Sequence, residues 1–309
     1  MNKNLLENKI NTKITSLTNN NQGGGSLIIV GTPIGNILDF SQRAKATLGE
    51  VDYILAEDTR KVRKLAMLTG FTFKKIIRYH ENKNLNQIQN FVSLILDGNN
   101  VALVSDAGMP LISDPGYKLV YACIKANIEV KTVPGPSSII SSLVVSGLPT
   151  NSFYFVGFLP KKVGARRSLY SNLNKLNTTI ILMESPKRLL SLLEELNLFF
   201  GNIEIAVVRE LTKLYEEVIR GKVLEVLKKL EKRSKIIGEI IVILYTSFEE
   251  NKDILSPEII NEIQKLSQKH PIKTVVNKIV YKTGKPRNII YKEALKIKKL
   301  IIIKNNTII

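Results

Sequence analysis

The sequence predicts an α/β protein made of two α/β domains and a small helical module at the C-terminus. Short apolar runs alternate with helical patterns over residues 27–248, and this alternation is typical of sheets covered by helices. After residue 249 only helical periodicity remains. We therefore expect a flexible polar extension at 1–26, α/β domains at 27–149 and 150–248, and a helical module at 249–309.

The first domain is predicted to hold a parallel sheet with helices on both faces, because each apolar run is followed by a helical pattern. Asp39 or Ser41 is a suitable N-cap for the first helix, and Gly70 is a suitable end for the second. A later helix contains Cys123, whose apolar surroundings indicate core packing and not a reactive thiol. The predicted strands are 27–30, 53–56, 75–79, 101–104 and 129–133.

The stretch VALVSDAGMPLISDP at 101–115 indicates a ligand site at one edge of this sheet. Its apolar start predicts a buried strand, and Gly108 and Pro110 force a turn where that strand ends. Turns rich in Gly and Pro also follow the first and fifth strands, at 31–36 and 134–138. Because ligands of open α/β sheets bind beyond the carboxyl ends of strands, these loops predict a small-molecule site. Their spacing matches neither the dinucleotide fingerprint nor the P-loop, which argues against NAD and ATP.

The second domain is predicted to be a mixed α/β domain that begins after the joint Leu148-Pro149-Thr150-Asn151. Its strands are expected at 153–158, 179–183, 203–208, 217–220 and 239–245, and basic loops follow the first three. Helical patterns at 256–268, 272–282 and 287–299 are divided by Pro and Gly, which is consistent with a helix-turn-helix module.

The charge of the chain favours a polyanionic partner. The formal net charge is +18, and residues 251–309 contain thirteen Lys and Arg against four Asp and Glu. Such clustering favours nucleic acid, although a coding sequence biased towards Lys, Ile and Asn would also raise the total.

The composition also argues against several classes of protein and of binding site. A single cysteine excludes an intrachain disulfide, and one Cys with two His nearly excludes a structural zinc site. No apolar run approaches the length of a membrane span, and the N-terminus lacks a signal-peptide core. We therefore expect a cytoplasmic protein with no membrane segment and no metal.

Charged side chains at strand ends are the remaining candidates. Asp106 follows a buried strand, where it either closes the turn or binds an ammonium, ribose or sulfonium group. Glu57 and Arg60 follow another strand. They belong either to the capped start of a helix or to a ligand-binding cleft. Lys187 and Arg188 follow a strand of the second domain. Taken singly, each is expected to be a solvated surface side chain, but basic residues grouped at strand ends predict a groove that binds phosphates.

Several motifs occur here in one order. They are Gly31-Thr32-Pro33-Ile34-Gly35-Asn36, Ala56-Glu57-Asp58-Thr59-Arg60, residues 105–116, Pro134-Gly135-Pro136-Ser137-Ser138, Ser146-Gly147-Leu148-Pro149 and Arg209-Glu210-Leu211-Thr212-Lys213. Together they resemble the ribosomal RNA small subunit methyltransferase I family. That family is a branch of the tetrapyrrole-methylase-like, class III S-adenosylmethionine (SAM) methyltransferases. The resemblance covers residues 27–309, including the C-terminal helices.

This resemblance implies two α/β domains with SAM in the cleft between them. It also implies a homodimer that methylates a cytidine ribose 2′-hydroxyl in the decoding region of 16S rRNA, in the small ribosomal subunit. Carried over residue by residue, it implies SAM-binding roles for Pro33, Asp106, Gly108, Met109, Ile112, Ser137, Ser138, Met183, Glu184, Leu211 and Gly238. The tetrapyrrole enzymes have Asp at the position of Met109 and this branch usually has Thr, so Met109 is expected to make contact through its backbone.

Asp106 and Glu57 lie beside the inferred cleft, so we expect one of them to take the proton of the ribose hydroxyl. RNA phosphates are expected to contact basic residues in both domains and in the helical module, namely Arg60, Arg166, Arg167, Lys187, Arg188, Lys213, Lys285 and Arg287. Two alternatives stay open. One is a SAM methyltransferase for a tetrapyrrole or another small acceptor, and the other is a non-catalytic RNA-binding module.

Overall fold

The computed structural model describes residues 24–80, 85–246, 255 and 257–306. The chain divides into two compact units, the first ending at Ser138 and the second beginning at Ile139. Most of the predicted flexible extension, residues 1–23, lies outside the described residues. The first strand already begins at Ser26, within the range that the sequence assigns to the extension.

The first unit is built on a five-stranded parallel sheet, as predicted. Its strands are β1 (Ser26–Val30), β2 (Tyr53–Ala56), β3 (Ile76–Arg78), β4 (Val101–Val104) and β5 (Glu129–Val133), in the order β3-β2-β4-β1-β5. All four pairings are parallel. Every residue of β4 is buried, because helices cover both faces of a central parallel strand.

Helices form a separate core on each face of this sheet. The helices are α1 (Gln42–Glu50), α2 (Thr59–Thr69), α3 (Leu85–Leu96) and α4 (Tyr117–Lys125). Side chains of α1 and α2 pack with Val30 of β1, whereas those of α3 and α4 pack with Leu27 and Ile29. Cys123 in α4 is fully buried, which confirms its packing role, and burial raises the pKa of its thiol to about 12.

Local side-chain signals set the helix ends in this unit. Ser41 caps α1, because its hydroxyl accepts a hydrogen bond from the Ala44 N–H at 3.1 Å. Asp58 caps α2 by accepting from the Arg60 N–H at 2.9 Å. Gly70 ends α2 with a φ of 72°, as the sequence predicts.

The second unit has a five-stranded mixed sheet, again as predicted. Its strands are β6 (Phe153–Phe158), β7 (Thr178–Glu184), β8 (Glu204–Arg209), β9 (Glu217–Lys222) and β10 (Ile240–Thr246), in the order β6-β7-β10-β8-β9. Only β6 and β7 pair in parallel. The accompanying helices are α5 (Ser138–Ser146), α6 (Val163–Leu173), α7 (Leu189–Phe200) and α8 (Val223–Glu231).

The first helix of the second unit explains why the units divide at Ser138 and not at the predicted joint near residue 149. Ile139 and Leu143 of α5 are buried against Ile181 and Ala206 of the second sheet. The joint is therefore the turn before α5, because burying this apolar helix face ties the helix to the second sheet.

Three helices end the described chain, close to their predicted positions: α9 (Pro257–Lys269), α10 (Ile272–Thr283) and α11 (Arg287–Asn306). They share a small core that includes Ile263, Val276 and Ile290, and Leu198 of α7 packs against it. The helical module is thus part of the second unit. Within the described ranges, no helix is both long enough and apolar enough to cross a bilayer.

Candidate functional site

Two of the predicted ligand loops are joined by backbone hydrogen bonds in the first unit. Thr32, after β1, and Gly108, after β4, form an antiparallel bridge. The Thr32 N–H donates to the Gly108 carbonyl at 2.9 Å, and the Gly108 N–H donates to the Thr32 carbonyl at 3.1 Å. Because β1 and β4 are neighbours in the sheet, this bridge fixes both loops at the carboxyl end of adjacent strands.

The third loop, after β5, touches the first through two glycines. A Cβ at Gly31 would lie 2.6 Å from the Gly135 Cα, and a Cβ at Gly135 would lie 2.8 Å from the Gly31 Cα. The Met109 sulfur also lies against Gly31, 2.7 Å from the same hypothetical Cβ. The three predicted loops therefore converge, and glycine is needed where two of them meet.

One buried side chain in these loops is left without a protein partner. The Thr32 hydroxyl has no hydrogen-bond partner among the described residues, although Thr32 is only 4% exposed. Buried hydroxyls are normally hydrogen-bonded, so an orphaned one beside a glycine-lined loop set fits a bound polar ligand. The sequence motif contains Thr32, but its residue type alone does not mark it as a site residue.

The two predicted proton acceptors lie near these loops. Asp106 accepts a hydrogen bond from the Asp58 N–H at 3.2 Å and forms an ion pair with Lys61 at 2.9 Å. These contacts tie the loop after β4 to the start of α2, and binding of a ligand group by Asp106 stays a prediction. Glu57, at the end of β2, is half-buried.

A third carboxyl, that of Asp114, interacts electrostatically with Glu57 and Asp106, although the sequence does not single it out. Burial is the main cause that raises the pKa of Asp114, and the negative charges of Glu57 and Asp106 raise it further. A hydrogen bond from Ser105 acts in the opposite direction. Among the described residues, no group of three or more His, Cys, Asp or Glu is arranged to hold a metal ion. A carboxyl with a raised pKa in these loops, as at Asp114, is a candidate acid–base or polar binding group.

The loop around Asp114 has an unusual backbone. Leu111 and Ser113 have φ values of 74° and 65°, a region that residues other than glycine seldom occupy. Such strain is concentrated at functional sites in proteins. Ile112, between them, is 52% exposed, and Pro33 is half-buried. Ser138 begins α5, directly after Ser137.

In the second unit, a charge pair holds one of the predicted SAM-binding residues, Glu184, in place. Glu184, at the end of β7, is buried and accepts hydrogen bonds from Arg188 at 2.8 Å and from the Ser185 N–H at 2.6 Å. Met183 packs against the same core as α5. Arg188 is therefore the direct electrostatic partner of Glu184.

A second charged turn follows β8. The Glu210 carboxylate accepts from Lys213 and from the Glu239 N–H, both at 2.9 Å. These contacts hold the pKa of Glu210 below its usual value. The same side chain covers Gly238, where a Cβ would come within 2.4 Å of it, and Leu211 packs into the core beneath.

The predicted RNA-binding residues fall into two groups. Four are in ion pairs: Arg60 with Asp58, Arg166 with Glu195, Arg188 with Glu184, and Lys213 with Glu210 and Glu239. Arg167 and Lys187 are exposed, and Lys285 and Arg287 lie at the turn between α10 and α11. Exposed ion pairs are weak, so Arg60, whose side chain is 85% exposed, stays available for a phosphate, whereas Arg166, at 19%, is held by Glu195.

Comparison with known proteins assigns this chain to a family. A family model described as Tetrapyrrole (Corrin/Porphyrin) Methylases matches residues 26–227. Ribosomal RNA small subunit methyltransferase I of Thermotoga maritima is 49% identical and covers 71% of this chain and 98% of its own. The enzyme of the same name from Micromonospora olivasterospora is 34% identical and covers 88% of this chain and 87% of its own.

Solved structures agree on the fold. Uroporphyrin-III C-methyl transferase from Thermus thermophilus, complexed with S-adenyl homocysteine, has a TM-score of 0.50 at 19% identity. It covers 72% of this chain and 97% of its own. On the strength of the family model and the close relatives, this chain belongs to the ribosomal RNA small subunit methyltransferase I family of the tetrapyrrole methylases.

Proposed function

We propose that this chain transfers a methyl group from SAM to the ribose 2′-hydroxyl of a cytidine in the decoding region of 16S rRNA. The observation that carries the proposal is the convergence of the three loops after β1, β4 and β5, with a buried, unpartnered hydroxyl at Thr32. Membership of the methyltransferase family supports the reaction, and the names of the relatives support ribosomal RNA as substrate.

The loops of the first unit suit a small polar cofactor. When bound, SAM supplies an activated methyl group whose C–S bond breaks as the new O–C bond forms. The Thr32 hydroxyl would hydrogen-bond to one of its polar groups, and the converging loops at Gly31 and Gly108 would pack against it. The resemblance assigns contacts to Pro33, Met109, Ile112, Ser137 and Ser138 in the same loops, and to Met183, Glu184, Leu211 and Gly238 in the second unit.

The chain must also orient the acceptor and remove its proton. Most of the rate gain in such a transfer comes from holding the acceptor oxygen in line with the methyl carbon. Asp106 and Glu57 are the proposed proton acceptors, because both are carboxylates beside the converging loops. The Asp58 N–H and the Lys61 ammonium orient the Asp106 carboxylate, whose remaining lone pairs would accept the proton of the ribose hydroxyl.

The proposed macromolecular partner is the small ribosomal subunit or its 16S rRNA. The net charge of +18 supports a polyanionic substrate, and such binding weakens as salt rises. We further propose a homodimer and a cytoplasmic location, which suits a ribosomal substrate. Edge strand β6 exposes Phe153, Tyr154 and Phe158, and a second copy of the chain would bury such side chains.

The decisive experiment maps the methylated nucleotide by primer extension. Small subunits from cells lacking this protein would be incubated with purified protein and SAM, and the RNA would then be extended at limiting nucleotide concentration. We expect one new stop at a cytidine of the decoding region. Transfer to a tetrapyrrole with none to RNA, or an absence of SAM binding by calorimetry, would contradict the proposal.

Single-turnover methylation with Asp106→Asn tests the proton acceptor. Loss of a general base costs about 100-fold or more in rate, so we expect a fall of that size in the single-turnover rate at saturating SAM. Asp97→Asn, at an exposed position after α3, is the matched control and should react like the parent protein. If both amide variants react at the parental rate, Asp106 does not accept the proton.

A further inference from the structure

The second unit contains a cavity that the proposed methyl-transfer site does not use. Its volume is about 410 Å³, within the range of roughly 300–1,000 Å³ that is typical of small-molecule sites. It lies between the end of α6, the end of α7 and the start of α11. The lining residues are Tyr170, Ser171, Asn174, Lys175, Phe199, Arg287, Asn288 and Tyr291. None of those assigned to SAM is among them.

One wall of this cavity is aromatic and rigid. The rings of Tyr170 and Phe199 have centroids 5.0 Å apart. Tyr170 is buried and its hydroxyl donates to Glu195 at 2.8 Å, so its position is fixed. Tyr291 contributes a third ring, which is 48% exposed and so accessible from solvent. An exposed aromatic ring such as that of Tyr291 is a platform on which nucleobases stack, whereas the Tyr170 and Phe199 rings, inclined by 40° to one another, line the cavity.

The remaining lining is polar and positively charged. Lys175 and Arg287 supply cations, and no carboxylate belongs to the described lining. Arg287 donates to the Asn277 side chain, which uses only part of the donor capacity of its guanidinium. Asn174 and Asn288 carry amides, whose donors and acceptors match the edges of bases.

We propose that this cavity binds one unstacked nucleotide of the RNA substrate, at a place separate from the methylated residue. Rings to stack a base, amides to contact its edge and cations to neutralise a phosphate occur here together, as in sites for single-stranded RNA. The thirteen Lys and Arg of residues 251–309 would draw RNA towards this module. The inference rests on the proposed function for the identity of the RNA. The site would act as an additional anchor that raises affinity for RNA without taking part in the transfer.

The test measures binding of a fluorescent, short single-stranded RNA and of purified small subunits by anisotropy and filter binding. Tyr291→Ala removes the exposed ring, and loss of one stacked base should weaken RNA binding about tenfold. Tyr291→Phe keeps the ring and should retain binding. Tyr281→Ala is the matched control, since Tyr281 lies in the same module, is 94% exposed and is outside the cavity lining. Thermal unfolding would verify that each variant folds.

Charge and kinetics give two further readouts. Lys175→Ala should weaken RNA binding and reduce its salt dependence, whereas Lys273→Ala, at an exposed position of α10, should change both less. In methylation assays, Tyr291→Ala should raise the KM for small subunits and leave kcat and SAM affinity unchanged. Equal binding by Tyr291→Ala and the parent protein, or equal losses in Tyr291→Ala and Tyr281→Ala, would overturn the proposal.

A free nucleotide offers the same chemistry as an RNA residue, so a second arm titrates CMP and AMP by calorimetry. Tight, Tyr291-dependent binding of either one, with no effect of Tyr291→Ala on RNA, would overturn the RNA assignment in favour of a free effector. Failure of this inference leaves methylation and SAM binding intact in every variant. If the proposed function fails instead, the parent protein methylates no RNA, and Tyr291-dependent binding of the oligonucleotide still reports on the cavity.

Discussion

The two units hold their strand-end loops in different ways. In the first unit the loops are fixed by backbone contacts, the Thr32–Gly108 bridge and the approach of Gly31 to Gly135. In the second unit the corresponding turns are fixed by charged side chains, as in the pairing of Glu184 with Arg188.

This difference predicts how each unit responds to change. A backbone contact leaves no space for an added Cβ, but it carries no charge that pH or salt can alter. An ion pair accepts changes in side-chain size more readily, and its contribution depends on the protonation of the carboxylate. The first unit should therefore be sensitive to small increases in volume and the second to loss of charge.

The largest effect is expected for Gly135→Ala. The new methyl group would lie 2.8 Å from the Gly31 Cα, so backbone must move. Overpacking of this kind costs about 3 kcal/mol of unfolding free energy, and the shift should abolish measurable SAM binding. Chemical denaturation and calorimetry would measure the two effects.

Gly164→Ala is the matched control, because an added Cβ at this position in α6 meets no atom within 4 Å. That variant should be more stable by about 0.5–1 kcal/mol, since alanine is the better helix former. If Gly135→Ala were as stable as Gly164→Ala and bound SAM normally, the close contact would not define the first unit's site.

Most of the fold can be predicted from the sequence, because its signals are local. The parallel sheet follows from apolar runs alternating with helical patterns, and the end of α2 from a single glycine. The joint between the units is the exception. Its position depends on which sheet buries α5, and that choice is made by packing partners distant in sequence.

Less of the candidate site than of the fold can be predicted from the sequence. The loop motifs are visible in the sequence, but the contact between Gly31 and Gly135 joins residues far apart in the chain. Residue type also overstates the free charge of the second unit, since Arg166 and Arg188 have carboxylate partners. The cavity near Tyr291 brings three helices together, and no local pattern predicts it.

An intermediate effect is expected for Glu217→Gln in the second unit. Glu217 pairs with Arg209 across neighbouring strands at 3.2 Å and accepts from Arg233 at 2.7 Å. Removing the charge should cost about 1–2 kcal/mol of unfolding free energy at neutral pH. Glu129→Gln is the control, because its pair with Lys131 is exposed in β5 and should contribute less than about 0.5 kcal/mol.

The pH dependence of this variant has a defined sign. The arginines hold the pKa of Glu217 below its ordinary value of 4.5 in the folded protein. Its contribution is therefore complete above pH 4.5 and is lost as the pH falls through the folded-state pKa. Denaturation midpoints should separate the parent protein from Glu217→Gln at neutral pH and converge in acid. A difference in midpoint that stays constant at all pH values would show that the shape of the Glu217 side chain, and not its charge, accounts for its contribution to stability.

The smallest effect is expected for Thr32→Val, which sharpens the comparison within the first unit. The substitution replaces a buried, unpartnered hydroxyl by a methyl group of similar shape. Because no protein hydrogen bond is lost, the free energy of unfolding should stay the same or rise by up to about 1 kcal/mol. If the hydroxyl binds SAM, the dissociation constant of SAM should be about fivefold higher for Thr32→Val than for the parent protein, the equivalent of one ordinary hydrogen bond. Thr32→Ser keeps the hydroxyl and should bind SAM more tightly than Thr32→Val does. A destabilised Thr32→Val with unchanged SAM affinity would instead make Thr32 a structural residue and leave the first unit's site to backbone contacts alone.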